Sequence, residues 1–174
     1  MRVFIIGFMG SGKSYSGKRL AAALDCDFYD LDALIEEREE GSVARIFEEK
    51  GETYFRELER QTLHETSNRE RAVISCGGGT PCFFDNMDWM NAQGVTVWLD
   101  PPAELVLRRL QRKPHKRPLL AGLETDEQWL AFIAKKMEER RPFYSRAQIV
   151  YRQEGEDANA AEELVNVLQS LGCE

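Results

Sequence analysis

Short apolar runs alternate along this chain with longer stretches in which apolar residues recur at helical spacing. The runs Val3–Ile6, Ala72–Ser75, Val95–Leu99 and Gln148–Tyr151, with a short one near Phe28–Tyr29, are rich in Val, Ile and aromatic residues. Such runs suit strands buried on both faces. Between them the pattern predicts helices over Lys13–Leu24, Asp32–Glu39, Val43–Lys50, Glu52–Asn68, Phe84–Ala92, Ala103–Gln111, Asp126–Arg140 and Ala158–Leu171. Ser42 is placed to N-cap the third of these and Gly51 to stop it. Gly172 is a stop for the last, and Pro142 closes the helix before it. Strand and helix in alternation predict an α/β domain built on a parallel sheet. No repeat, linker or low-complexity segment divides residues 1–174, so a single domain is expected.

Composition adds limits. A chain of 174 residues with 43% hydrophobic and 30% charged residues can bury one substantial core. Its formal net charge of −7 argues against a nucleic-acid-binding face, which needs basic character. No apolar run reaches the roughly 18 residues of a membrane span. The apolar stretch after Arg2 is too short for a secretory signal and is broken at Gly7. A cytoplasmic protein is expected, with Cys26, Cys76, Cys82 and Cys173 as reduced thiols. The four cysteines contain no CxxC pair and only two His occur, which disfavours structural zinc.

The first candidate chemistry follows the first predicted strand. Gly7-Phe8-Met9-Gly10-Ser11-Gly12-Lys13-Ser14 fits the G-x-x-x-x-G-K-[ST] phosphate-binding loop, in the strand–loop–helix context that the motif requires. Its glycines let backbone N–H groups close on phosphate oxygens. Lys13 supplies positive charge to the β- and γ-phosphates, Ser14 an oxygen for Mg²⁺, and the helix start a positive dipole end. A nucleoside triphosphate is implied. The acceptor is not.

Further segments bear on the acceptor. Asp30 and Asp32 lie two apart at the end of the second strand, where α/β ligands bind. One could hold Mg²⁺ through water and the other accept a hydrogen bond from a substrate hydroxyl. Asp32 is also placed to N-cap the next helix. Arg56 has Glu52 and Glu59 at neighbouring-turn spacing, which by itself predicts only weak surface pairs. Gly77-Gly78-Gly79 makes sense where backbone must approach a ligand closely. Arg140 and Arg141 precede Pro142, where a cation suits a helix C-terminus or could clamp a carboxylate. Arg112-Lys113-Pro114-His115-Lys116-Arg117-Pro118 concentrates basic residues and two prolines in an acidic chain. It reads as an exposed loop, and beside a phosphate-binding loop as a lid of about residues 112–123.

Together these segments resemble the shikimate kinase family. The motifs that carry the resemblance are Gly7–Ser14, Asp30-Leu31-Asp32, Ile46-Phe47 with Gly51-Glu52 and Phe55-Arg56-Glu57-Leu58-Glu59, Gly77–Gly79, Arg117-Pro118-Leu119, and Glu139-Arg140 with Pro142 and Tyr144. They cover the chain from the phosphate loop to about residue 152. The resemblance implies a three-layer α/β/α P-loop kinase fold with a five-stranded parallel sheet, a lid, and a substrate-binding region of about residues 31–60. It implies transfer of a phosphoryl group from ATP to the 3-hydroxyl of shikimate, a step of chorismate and aromatic amino acid biosynthesis, by a monomer that uses Mg²⁺.

It also implies roles. Gly10, Ser11, Gly12, Lys13, Ser14 and Tyr15 would hold the nucleotide, with Arg112 against the adenine and Arg117 reaching the transferred phosphate. Ser14 and Asp30 would serve the metal. Asp32 would hold the acceptor hydroxyls and take the proton. Arg56 and Arg140 would grip the carboxylate, Phe47 and Phe55 would wall the ring, and backbone at Gly78 and Gly79 would contact its substituents. Lys13, Asp32 and Arg117 are the expected catalytic set. The segment after residue 152 matches little, so no adenine contact is assigned there. Two other readings are a related kinase such as a gluconate kinase, which would not need two acceptor arginines, and a nucleotide-binding module without catalysis.

Overall fold

Strand and helix alternate from the first residues, as the hydrophobic pattern predicts. The computed structural model describes residues 1–112, 122–155 and 160–170. Its elements are β1 (Arg2–Ile6), α1 (Lys13–Ala23), β2 (Asp27–Asp30), α2 (Leu31–Glu39), α3 (Val43–Glu65), β3 (Ala72–Ser75), α4 (Asn86–Gln93), β4 (Val95–Asp100), α5 (Ala103–Gln111), α6 (Asp126–Tyr144), β5 (Ile149–Arg152) and α7 (Ala160–Ser170). Short 3₁₀ turns lie at Thr66–Asn68 and Thr80–Cys82. Most of the expected lid, Arg117 included, lies outside the described residues, as does Cys173.

The strands form one parallel sheet in the order β2-β3-β1-β4-β5. β1 is central, with Val3 paired to Val73 on one side and to Val95 on the other. Because side chains alternate along a strand, β1 feeds two cores. Phe4 and Ile6 join Leu31, Phe55, Ile133 and Tyr144 on one face. Val3 and Ile5 join Leu20, Leu164 and Leu168 on the other. This is the expected three-layer arrangement, with α1 and α7 on the second face. All four side chains of Val3–Ile6 are fully buried, and each such burial contributes roughly 1.5–3 kcal/mol. The chain crosses from one side of β1 to the other after β3, so ligand-binding loops gather at the C-terminal end of β1.

Three expectations are corrected. Asp30, not Asp32, caps α2: its side chain accepts from the amides of Asp32 and Ala33. α6 does not stop at Arg140 but runs through Pro142 to Tyr144. Pro142 forfeits one backbone donor near the helix end. Burial of Tyr144, whose ring centroid lies 5.7 Å from that of Trp98, offsets the loss. At Phe84 the backbone enters the left-handed region, with φ 50, so α4 begins only at Asn86. The expected break at Gly51 is present, with φ 83 and ψ 169 inside α3, but helical hydrogen bonding resumes at once. α3 is therefore two helices joined at a kink.

Candidate active site

The phosphate loop turns tightly between β1 and α1. Gly10 and Gly12 have φ of 76 and 93. No side chain caps α1, so its first amides point into the loop. Lys13 Nζ donates to the carbonyls of Gly7 at 2.9 Å and Phe8 at 3.1 Å. Ser11 Oγ is buried and has no hydrogen-bond partner among the described residues. The Tyr15 side chain is 58% exposed and interacts with Arg19, so Tyr15 offers the loop its backbone and not its ring.

Arg109 and Gln153, which belong to none of the motifs above, also meet here. Arg109 Nη1 donates to the Ser11 carbonyl at 3.0 Å and to Gln153 Oε1 at 3.0 Å. Arg109 thus ties the loop to the segment after β5. Arg112, expected near the adenine, lies exposed at the end of α5. Four-residue spacing back from Arg112 and Lys113 falls on Arg108 and Arg109, which is the signal in the sequence that could have found Arg109.

Ser14 and Asp30 are brought together as expected. Ser14 Oγ donates to Asp30 Oδ2 at 2.6 Å and lies 3.4 Å from Ser75 Oγ. Asp30 thereby serves two elements at once, since Oδ1 caps α2. These are hard oxygen donors of the kind Mg²⁺ takes. Ser75, at the end of β3, was not anticipated.

Asp32 lies two residues beyond that cap, in the first turn of α2. Burial, then the nearby Asp30 and Glu59 carboxylates, push its pKa up to about 6, against the pull of Lys13. A carboxyl group tuned this way can accept a proton near neutral pH and bind it with some strength.

Arg56 and Glu59 occupy the second half of α3, and the surface-pair reading fails for them. The Glu59 side chain is 1% exposed and the Arg56 side chain 13%. Arg56 Nη1 donates to Glu59 Oε2 at 3.0 Å, and Thr80 Oγ1 donates to Glu59 Oε1 at 2.6 Å. Burial pushes the Glu59 carboxyl up, while Arg56, Thr80 and Arg140 oppose it. Phe47 and Phe55 lie beside the guanidinium, tilted against each other with ring centroids 4.4 Å apart.

The three glycines after β3 gather these groups. A Cβ on Gly77 would lie 2.8 Å from Glu59 Oε1 and 3.1 Å from Asp32 Oδ1. On Gly78 it would lie 2.9 Å from Arg140 Nη1, and on Gly79 2.7 Å from Arg56 Nη1. Each glycine makes room for a different charged side chain. Tyr144 fixes the loop from below, its hydroxyl donating to the Gly78 carbonyl at 2.5 Å. The Tyr144 hydroxyl also bonds Arg140, whose charge works against the burial that raises the phenol. Arg140 therefore faces the loop, with its guanidinium 5.3 Å from the Phe8 ring. Arg141 turns outward to Glu138 and is 47% exposed.

The site thus places two arginines and a raised carboxyl group beside a phosphate cradle. The chain's similarities agree. The family model described as "Shikimate kinase" matches residues 9–169. The shikimate kinase of Parabacteroides distasonis is 49% identical over 150 residues, 86% of each chain. The crystal structure of the shikimate kinase from Bacteroides thetaiotaomicron superposes with a TM-score of 0.89 at 45% identity, covering 98% of this chain and 97% of that one. The shikimate kinase from Acinetobacter baumannii in complex with shikimate gives a TM-score of 0.85 at 31% identity, over 99% and 95% of the two chains.

Proposed function

The chain belongs to the shikimate kinase family, and on that premise we propose how its residues move the γ-phosphoryl group of ATP onto the 3-hydroxyl of shikimate. The observation that carries the reading is the convergence of Asp32, Arg56 and Arg140 on Gly77–Gly79, beside the P-loop. Arg56 and Arg140 hold the acceptor carboxylate, for which a guanidinium offers paired donors. Their grip turns the 3-hydroxyl toward Asp32. Asp32 takes the hydroxyl proton as the oxygen bonds to the γ-phosphorus, and the bond to the β-phosphate oxygen breaks with its electron pair leaving on ADP. P-loop amides and Lys13 hold the β- and γ-phosphates and offset charge on the leaving group. The unpartnered Ser11 Oγ suits an added phosphate oxygen.

Ser14 and Asp30 are the residues that would hold Mg²⁺, with Ser75 adjacent. Bound there, the ion would neutralise phosphate charge. Arg117 is proposed from the resemblance to meet the transferred phosphate from the lid. Phe47 and Phe55 supply the apolar wall for the ring. The protein is read as a cytoplasmic monomer. No helix among the described residues is long and apolar enough to cross a membrane.

The test is ADP release, coupled to a spectrophotometric readout, across a panel of acceptors with Mg-ATP. Turnover is expected with shikimate. Turnover with gluconate or a nucleoside monophosphate and none with shikimate would overturn the proposal.

A further inference from the structure

Beyond Thr80, which bonds Glu59, the segment Pro81-Cys82-Phe83-Phe84 takes no part in the chemistry described above. Its two aromatic residues nevertheless meet two arginines one turn apart on α3. The Arg56 guanidinium carbon lies 4.0 Å from the Phe83 ring centroid, and that of Arg60 lies 5.1 Å from the Phe84 ring centroid. Consecutive rings reach successive helical turns because Phe84 adopts φ 50, a left-handed conformation that bulky residues rarely take. Arg60 also pairs with Asp85 at 3.1 Å, which anchors the far end of the segment.

The contact to Arg56 is the closer one, and it involves a guanidinium already constrained on its edges. Glu59 accepts from Nη1 at 3.0 Å, and Glu52 Oε1 accepts from Nε and Nη2, both at 3.2 Å. Phe47 and Phe55 stand farther off, at 5.6 and 5.2 Å. In-plane hydrogen bonds fix where a guanidinium sits. A ring at 4.0 Å additionally limits how far the group can tilt or withdraw, and attracts its charge without competing for an N–H. An aromatic neighbour therefore leaves donors available to a ligand in a way that a further carboxylate would not.

We propose that Phe83 is a positioning residue that holds the Arg56 guanidinium ready for the acceptor carboxylate. The proposal rests on the assignment of Arg56 to that carboxylate. It concerns acceptor binding alone, because Phe83 acts through its contact with Arg56.

The experiment is steady-state kinetics on Phe83→Leu, Phe83→Trp, Arg56→Ala and the double variant Phe83→Leu/Arg56→Ala, each checked for folding by circular dichroism. Phe83→Leu is expected to raise the KM for shikimate about 5- to 20-fold, the range that a desolvated cation–π contact supports. Its kcat and its KM for ATP should stay within about twofold of the parent. Phe83→Trp, which keeps the aromatic face, should retain the parent KM. In the Arg56→Ala background, Phe83→Leu should leave kcat/KM for shikimate unchanged. Equal effects of Leu and Trp, or an undiminished effect of Leu without Arg56, would overturn the proposal. If Arg56→Ala alone left the shikimate KM unchanged, the assignment of Arg56 would fall, and Phe83 with it.

Discussion

Asp32 carries a cost that its proposed role explains. Its pKa stands near 6 where an ordinary aspartate has 3.8, so the folded chain binds this proton more tightly than the unfolded chain does. The sign follows from linkage. Below about pH 4 both states are protonated and nothing is lost. Between pH 4 and 6 the folded state loses stability relative to the unfolded one, and above pH 6 the loss is complete. Asp32→Asn should therefore raise stability at pH 7 by as much as about 3 kcal/mol, and by almost nothing at pH 4. Urea unfolding at the two pH values measures this, and an unchanged midpoint at pH 7 would refute it. The same substitution should lower kcat by about 100-fold or more, the range for a lost general base. In the parent, kcat/KM for shikimate should rise through an apparent pKa near 6. A pH profile flat from 5 to 8 would remove Asp32 from the proton transfer.

At the scale of elements, the kink in α3 decides where Arg56 and Glu59 point. Gly51 has no atom within 4 Å of an added Cβ, so space does not forbid a side chain there. Its φ 83 and ψ 169 do, because that region is open to glycine almost alone and costs other residues about 1–3 kcal/mol. Gly51→Ala should lower stability by that amount in thermal unfolding and raise the shikimate KM while sparing the KM for ATP. A variant as stable as the parent would mean that the chain straightens without penalty.

Much of this level was legible beforehand. Alternating apolar runs located every strand, and the break at Gly51 followed from glycine alone. Pro142 misled because a local rule against proline in helices gave way to the burial of Tyr144, far away in sequence. Asp30 and Asp32 exchanged the capping role because two-residue spacing cannot say where a strand ends. Arg56 read as a surface residue because helical spacing gives its partners but not its burial. Gln153 and Ser75 became visible only when the sheet brought them to Arg109 and Ser14.

Across the whole molecule, the proposed donor and acceptor sites lie at the same C-terminal end of the sheet but draw on different elements. The P-loop hangs between β1 and α1, while the groups proposed to hold the acceptor come from α2, α3, the loop after β3, and α6. Each ligand should then stabilise the fold independently. At a free concentration of about 100 times its Kd, either one adds about 2.7 kcal/mol. Arg140→Ala should abolish the rise in melting temperature given by shikimate and keep the rise given by ATP, as differential scanning fluorimetry would register. Equal loss of both would take Arg140 out of the acceptor site. The loop of three glycines carries this separation into evolutionary terms. Gly79 is confined by the Arg56 guanidinium and Gly78 by that of Arg140, so a methyl group at either must push the end of its arginine out of place. On the proposed roles, a substitution at either glycine would thus carry a loss of acceptor grip with it. A displaced arginine would be disabling by itself, which would put the present specificity on a fitness peak ringed by a valley that single substitutions do not cross.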